Sequence, residues 1–213
     1  YTARWYTTFD RKKAEERVTY CGSNPVSDLW CSRALALIAA SFRTAVQDGS
    51  NLQARSDMMM AATFAGMGFG NAGVHIPHAN GYPIAGMVKD YKPRGYPQDE
   101  PMVPHGQSVS LTAPQAFRFS FESSPERHLQ AASMLAPNKD KLNNPAEQLP
   151  SALIELMRDI DIPNGIGAVG YSESDIPDLV PGTMKQQRLL ATCTRMPTED
   201  DIADIFAKSI ENW

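Results

Sequence analysis

Cysteine and histidine are scarce in this sequence, with three and four copies in 213 residues. Cys21, Cys31 and Cys193 are odd in number and widely spaced. That excludes a fully paired disulfide framework and reads as reduced thiols of an intracellular compartment. Charge of one sign is also lacking. The net charge is −4, and no basic cluster occurs beyond Arg11-Lys12-Lys13, which argues against a nucleic-acid surface. The longest apolar run, Ala34–Ala40, is too short to span a bilayer. No apolar alternation of period two lasts long enough to build a sheet. Internal repeats and low-complexity segments are missing, as are an initiator methionine and any signal or transit pattern at Tyr1.

What is present reads as helix. The apolar share of 42% and charged share of 21% suit a globular core. Residues 1–23 are polar and irregular and read as a lead-in. A helix is expected after Asn24-Pro25, with Ser27 as N-cap, a stripe of Trp30, Ala34, Leu37, Ile38 and Phe42, and an end at Asp48-Gly49-Ser50. Leu52 to about Gly73 is rich in Met and Ala and reads as a long, heavily buried helix. Residues 80–106, with Pro83, Pro93, Pro97, Pro101 and Pro104 among several glycines, read as a long excursion. Further helices are expected at 107–120, 125–136 and 146–160. A last helix is expected from Thr198-Glu-Asp-Asp201, with Ile202, Ile205, Phe206 and Ile210 as its apolar stripe. The expected architecture is all-α: one bundle of roughly seven helices over residues 1–213.

The stretch GFGNAGVHIPH (68–78) satisfies G-x-G-x-x-G through Gly68, Gly70 and Gly73. A dinucleotide turn needs a strand before it, yet MMMAATFAGM precedes it, so the spacing is a decoy. Gly66, Gly70 and Gly73 would instead share one helix side and admit a close neighbour. The histidines carry more weight. His75 and His78 at i, i+3 could face one metal, or one of them could pair with His105 across the excursion. His128, in SSPERHLQAA, reads as an exposed helix residue.

Two longer stretches, GFGNAGVHIPHANGYPIAG (68–86) and VPHGQSVSLTAP (103–114), resemble the iron-containing (group III) alcohol dehydrogenases. Asn71, Gly73, His78 and Pro83 match that family's N-x-G-x-x-x-x-H-x-x-x-x-P block, and Pro104-His105-Gly106 match its P-H-G. GSNPVSDLW (22–30), FAGMGFGNAGVH (64–75), PERHL (125–129) and AVGYSESDIPDLVPGT (168–183) look most like the hydroxyacid–oxoacid transhydrogenase branch.

The resemblance implies a dehydroquinate synthase-like enzyme of two domains, of which this chain is the C-terminal all-helical, metal-binding one. It implies His78 and His105 as two ligands of Fe²⁺ (or Zn²⁺), Phe69 against NAD(P), and Tyr82 lining the catalytic pocket where many members carry histidine. His75 becomes a structural residue. It further implies an aspartate and a first histidine in D-x-x-x-H, followed by a stretch whose end Tyr1-Thr2 resembles. No Asp-x-x-x-His occurs here, so the chain is expected to be part of a longer enzyme whose N-terminal portion binds the nucleotide. Implied partners are a small alcohol or hydroxyacid and an oxoacid, such as 4-hydroxybutyrate and 2-oxoglutarate, with a homodimer and a mitochondrial location. Lys89, Lys92 and Arg94 are candidate cations for such acids. Pro77 is expected to bend or end a helix near His78. The rival expectation is a non-catalytic helical piece serving structure or dimerisation. Met58, Met59 and Met60 are consecutive, so at least one should point away from the core.

Overall fold

A computed structural model describes residues 1–10 and 12–213; Arg11 of the basic triplet lies outside the described residues. Ten α-helices follow one another without a strand among the described residues. They are α1 (Pro25–Gln47), α2 (Leu52–Ala72), α3 (Ile76–Gly86), α4 (His105–Ser110), α5 (Ala113–Ser120), α6 (Pro125–Leu135), α7 (Gln148–Asp159), α8 (Ile176–Met184), α9 (Gln187–Leu190) and α10 (Glu199–Lys208). The all-helical expectation holds, with more and shorter helices than seven.

The lead-in is pinned rather than loose: Trp5 and Ser23 form an isolated parallel bridge. Asn24, not Ser27, caps α1. Its side-chain oxygen accepts from the Val26 and Ser27 amides, while the Ser27 hydroxyl accepts from the Asn24 amide as the other half of a capping box. Pro25 occupies the first turn, where its missing N–H costs nothing.

Helices α1 and α2 form a long antiparallel hairpin, with Trp30 stacked on Phe64 at 5.5 Å. The close approach falls at Gly68, where a Cβ would lie 2.4 Å from the Cys31 sulfur. Gly66 and Gly70 face open space, so the expected glycine face does not exist as a packing surface. Nor is α2 heavily buried: only Ala54, Ala61, Gly68 and Ala72 are enclosed, and Met59 is 72% exposed. Its small side chains fit against a single neighbour, α1, instead of sitting inside a core. Helix α1 has an 18-residue window of mean hydropathy 1.2, enough by length and composition to cross a membrane. It is instead tied to polar partners along its length, Asp28 to Arg127 of α6 and Arg43 to Asp159 of α7.

Two cores hold the remainder. One gathers Ile76, Ile84, Leu111, Ile166, Leu179, Leu190 and Phe206 around α3, α8, α9 and α10. The other joins Ala131, Leu135, Leu149 and Leu156 of α6 and α7 to Leu35, Ile38 and Phe42 of α1. The expected helix at 107–120 is two helices, broken at Leu111-Thr112 because Pro114 opens α5. Helix α10 begins with the Thr198–Asp201 capping box as its sequence indicates, and buries Ile202, Ile205 and Phe206.

The central element is α3, which starts before the expected excursion and takes residues 80–86 from it. Pro77 lies in its first turn and therefore starts the helix rather than bending or ending it. Pro83 sits in the interior and packs against α8 at Gly182, where an added Cβ would come 2.7 Å from the Pro83 Cβ. Asn80 is fully buried; its amide donates to Thr112 Oγ1 at 3.2 Å and its oxygen accepts from Thr183 Oγ1 at 3.1 Å. The buried Tyr171 hydroxyl donates to the Ile84 carbonyl at 2.7 Å, satisfying an end-of-helix acceptor. These contacts fix the rotation of α3 and decide which of its side chains remain accessible.

Candidate metal centre

Most of α3 is enclosed: Ile76, Pro77, Ala79, Asn80, Gly81, Pro83 and Ile84 are all buried. His78 and Tyr82 are left on an accessible stripe, one turn apart. His105 opens α4 directly after Pro104 and is exposed. Because α3 packs on α4, the two imidazoles meet with ring centroids 5.5 Å apart and planes at 62°. Of the two pairings left open by the sequence, the structure brings together His78 and His105.

Burial, reinforced by the nearby His105, pulls the His78 pKa down from 6.5 to about 4. A neutral imidazole is the form that binds metal. Among the described residues no cluster of three or more His, Cys, Asp or Glu side chains is placed to hold a metal. The pair by itself offers two imidazole nitrogens, fewer than the three or four protein donors of a complete metal site.

His75 does not join them. It is the N-cap residue of α3, buried, with Nε2 2.9 Å from the Thr2 hydroxyl and its ring edge-on to Phe117. Burial drives its pKa down to about 3. His128 is also enclosed, at 1% exposure, against the expectation of a surface residue. Nδ1 donates to the Ser124 carbonyl at 2.8 Å, leaving Nε2 to face the Ser120 hydroxyl at 2.9 Å, between the rings of Phe117 and Phe121. Its amphipathic neighbours concealed a polar residue with a complete set of internal partners.

Phe69, in the last turn of α2, lies with its ring centroid 6.5 Å from that of His78 and is 47% exposed. Tyr82 is 45% exposed, and its hydroxyl accepts from Arg188 Nη2 at 2.9 Å. Two of the three expected cations are engaged elsewhere: Lys89 pairs with Asp175 at 2.7 Å and Lys92 donates to the Gln98 carbonyl at 2.7 Å, while Arg94 is exposed in the loop after α3. Arg188 escaped the sequence reading because a lone arginine in KQQRLL has no motif around it. The thiols are free, and burial pushes Cys193 up to about 12, which leaves it inert.

The family model for the C-terminal part of the Fe-containing alcohol dehydrogenase family matches residues 14–210. The mitochondrial hydroxyacid-oxoacid transhydrogenases of Homo sapiens and Rattus norvegicus are 44% and 43% identical over 92% of the chain. The chain spans 42% of each of those relatives, less than half their length. Among solved structures, an alcohol dehydrogenase from Oenococcus oeni superposes with a TM-score of 0.77 at 31% identity, over 88% of this chain and 46% of that one. A 1,3-propanediol oxidoreductase does so with a TM-score of 0.75 at 29% identity, over 87% and 46%. By its sequence over residues 14–210 and by its all-helical fold, the chain belongs to the Fe-containing alcohol dehydrogenase family and matches that family's C-terminal helical domain.

Proposed function

We propose that these 213 residues form a single helical domain contributing half of the metal site of a nicotinamide-linked oxidoreductase, one that moves hydride between a hydroxyacid and an oxoacid. The observation that carries the reading is the His78–His105 pair, a half-buried and an exposed imidazole brought together from different helices at 5.5 Å between ring centroids. The remaining donors and the NAD(P)-binding surface belong to an N-terminal portion of the same enzyme. Likeness to the transhydrogenases named above supports the substrate class and a mitochondrial location.

When bound, the divalent metal, Fe²⁺ or Zn²⁺, supplies Lewis acidity to the alcohol or carbonyl oxygen during hydride transfer. This chain's residues do the holding. His78 is rigid because α3 is locked by Asn80 and by His75, whose bond to Thr2 ties the start of the helix to the lead-in. His105 completes the pair from the first turn of α4. Phe69 offers an exposed ring for the nicotinamide side, and Tyr82 forms the pocket wall beyond His78.

Metal content of the complete protein tests this reading. His78→Ala and His105→Ala are each expected to weaken metal binding at least about tenfold and to abolish hydride exchange between 4-hydroxybutyrate and 2-oxoglutarate. His75→Gln should retain the metal. Full metal content in both alanine variants would overturn the assignment.

A second reading for this chain by itself rests on its sequence, which carries the two histidines but no D-x-x-x-H: a non-catalytic helical piece serving structure or dimerisation.

A further inference from the structure

We propose that Arg188 is the carboxylate anchor of this site and selects acids over neutral alcohols. The inference rests on the reading of His78 and His105 as metal donors. The Arg188 guanidinium is held by two phenols: Nη1 donates to Tyr20 Oη at 3.1 Å and Nη2 donates to Tyr82 Oη at 2.9 Å. Both partners are hydroxyls rather than carboxylates, so they orient the fork without pairing it with an acid. Among the described residues no carboxylate pairs with Arg188, although Asp and Glu outnumber Lys and Arg 24 to 20. A guanidinium has five N–H donors, and those beyond the two phenol bonds are available to an incoming anion.

The surroundings hold this geometry from three sides. Leu189 and Leu190, immediately after Arg188, are buried and pin α9. Tyr20 is seated on Gly73, whose φ of +84° ends α2 and where a Cβ would come 2.8 Å from the tyrosine ring. Tyr82 follows His78 by four residues of α3, about 6 Å along the axis. A short molecule with a carboxylate at one end therefore reaches Arg188 while its hydroxyl or carbonyl oxygen reaches the histidine pair. Those are the two polar ends of a hydroxyacid or oxoacid of a few carbons. A simple alcohol offers Arg188 nothing.

The experiment compares Arg188→Gln and Arg188→Lys with the unaltered complete enzyme. Arg188 is exposed, so neither change should disturb folding. Calorimetry with 2-oxoglutarate should show binding weakened at least about tenfold in Arg188→Gln and less in Arg188→Lys. Metal content and nucleotide affinity should hold. The ratio of kcat/KM for 4-hydroxybutyrate over 1-butanol should fall by a similar factor. Unchanged 2-oxoglutarate binding in Arg188→Gln would overturn the anchor, as would a loss confined to nucleotide binding. Full metal content in His78→Ala and His105→Ala, together with 2-oxoglutarate binding that still falls in Arg188→Gln, would defeat the metal reading and leave the anchor standing.

Discussion

His75 and His128 show how far a histidine's role depends on its enclosure. Each sits in the interior with a hydroxyl partner, Thr2 and Ser120 respectively, and burial lowers both pKa values. His75 titrates near 3 in the fold against 6.5 when free. Between those values the unfolded chain binds a proton that the folded chain refuses, so acid favours unfolding. The stability contribution is intact above 6.5 and erodes as the pH falls toward 3. The carboxylates with lowered values, Asp48, Asp57, Glu147, Asp175 and Asp201, start to lose their contribution as the pH falls into the ordinary carboxylate range, so they add little above about pH 4.5. Urea midpoints should therefore drop from about pH 7 to about pH 4.5, and His75→Gln should reduce that slope without removing it, because His78 and His128 are lowered by burial as well. An equal slope in wild type and variant would mean that the Thr2–His75 contact opens and lets the ring protonate in the folded chain.

At the level of single helices, glycines separate packing from openness. Gly182 of α8 lies on the rigid Pro83 ring, so Gly182→Ala should push α8 off α3 and cost about 1–3 kcal/mol. Gly66 meets nothing within 4 Å, so Gly66→Ala should gain about 0.5–1 kcal/mol from helix propensity alone. Denaturant titration of the two variants reads both signs, and destabilisation by Gly66→Ala would place an unseen neighbour on that face. The helices that were legible in the sequence carry starting signals with a mechanism: Asn24-Pro25 for α1, Pro125 for α6, Thr198–Asp201 for α10. Helix α3 was hidden because Pro77, Gly81, Pro83 and Gly86 read as breakers. In the structure Pro77 opens the helix, and tertiary packing against α8 carries Pro83. Helix α8 repeats the disguise with Pro181 in its interior, and the four residues of α9 are too few for any periodic signal. His78 and His105 were named through two motif blocks, but their proximity depends on α3 packing against α4, which spacing does not encode.

Over the whole molecule, exposure is uneven. One accessible area surrounds the histidine pair, with Phe69 and Tyr82. A second lies at the closed end of the α1–α2 hairpin, where Phe42, Ala45, Val46, Leu52 and Met59 line a groove. Met59 and Met60 are exposed and Met58 is half-buried, so at least one of the methionine triplet does point away from the core, as three consecutive positions on a helix require. Leu52 at 79% and Met59 at 72% are the most exposed large apolar side chains on α2. Apolar side chains concentrated on one patch drive association when nothing covers them, and a net charge of only −4 gives little repulsion against it. The 213-residue chain should therefore associate as its concentration rises, whereas the double variant Leu52→Glu, Met59→Glu should sediment as a single species. Its thermal midpoint should stay within about 2 °C of wild type, because the replaced side chains give up almost no burial. Sedimentation velocity over a concentration series decides the matter. Persistent association of the double variant would move the contact to the Phe69–Tyr82 side, where a second copy would cover the histidine pair.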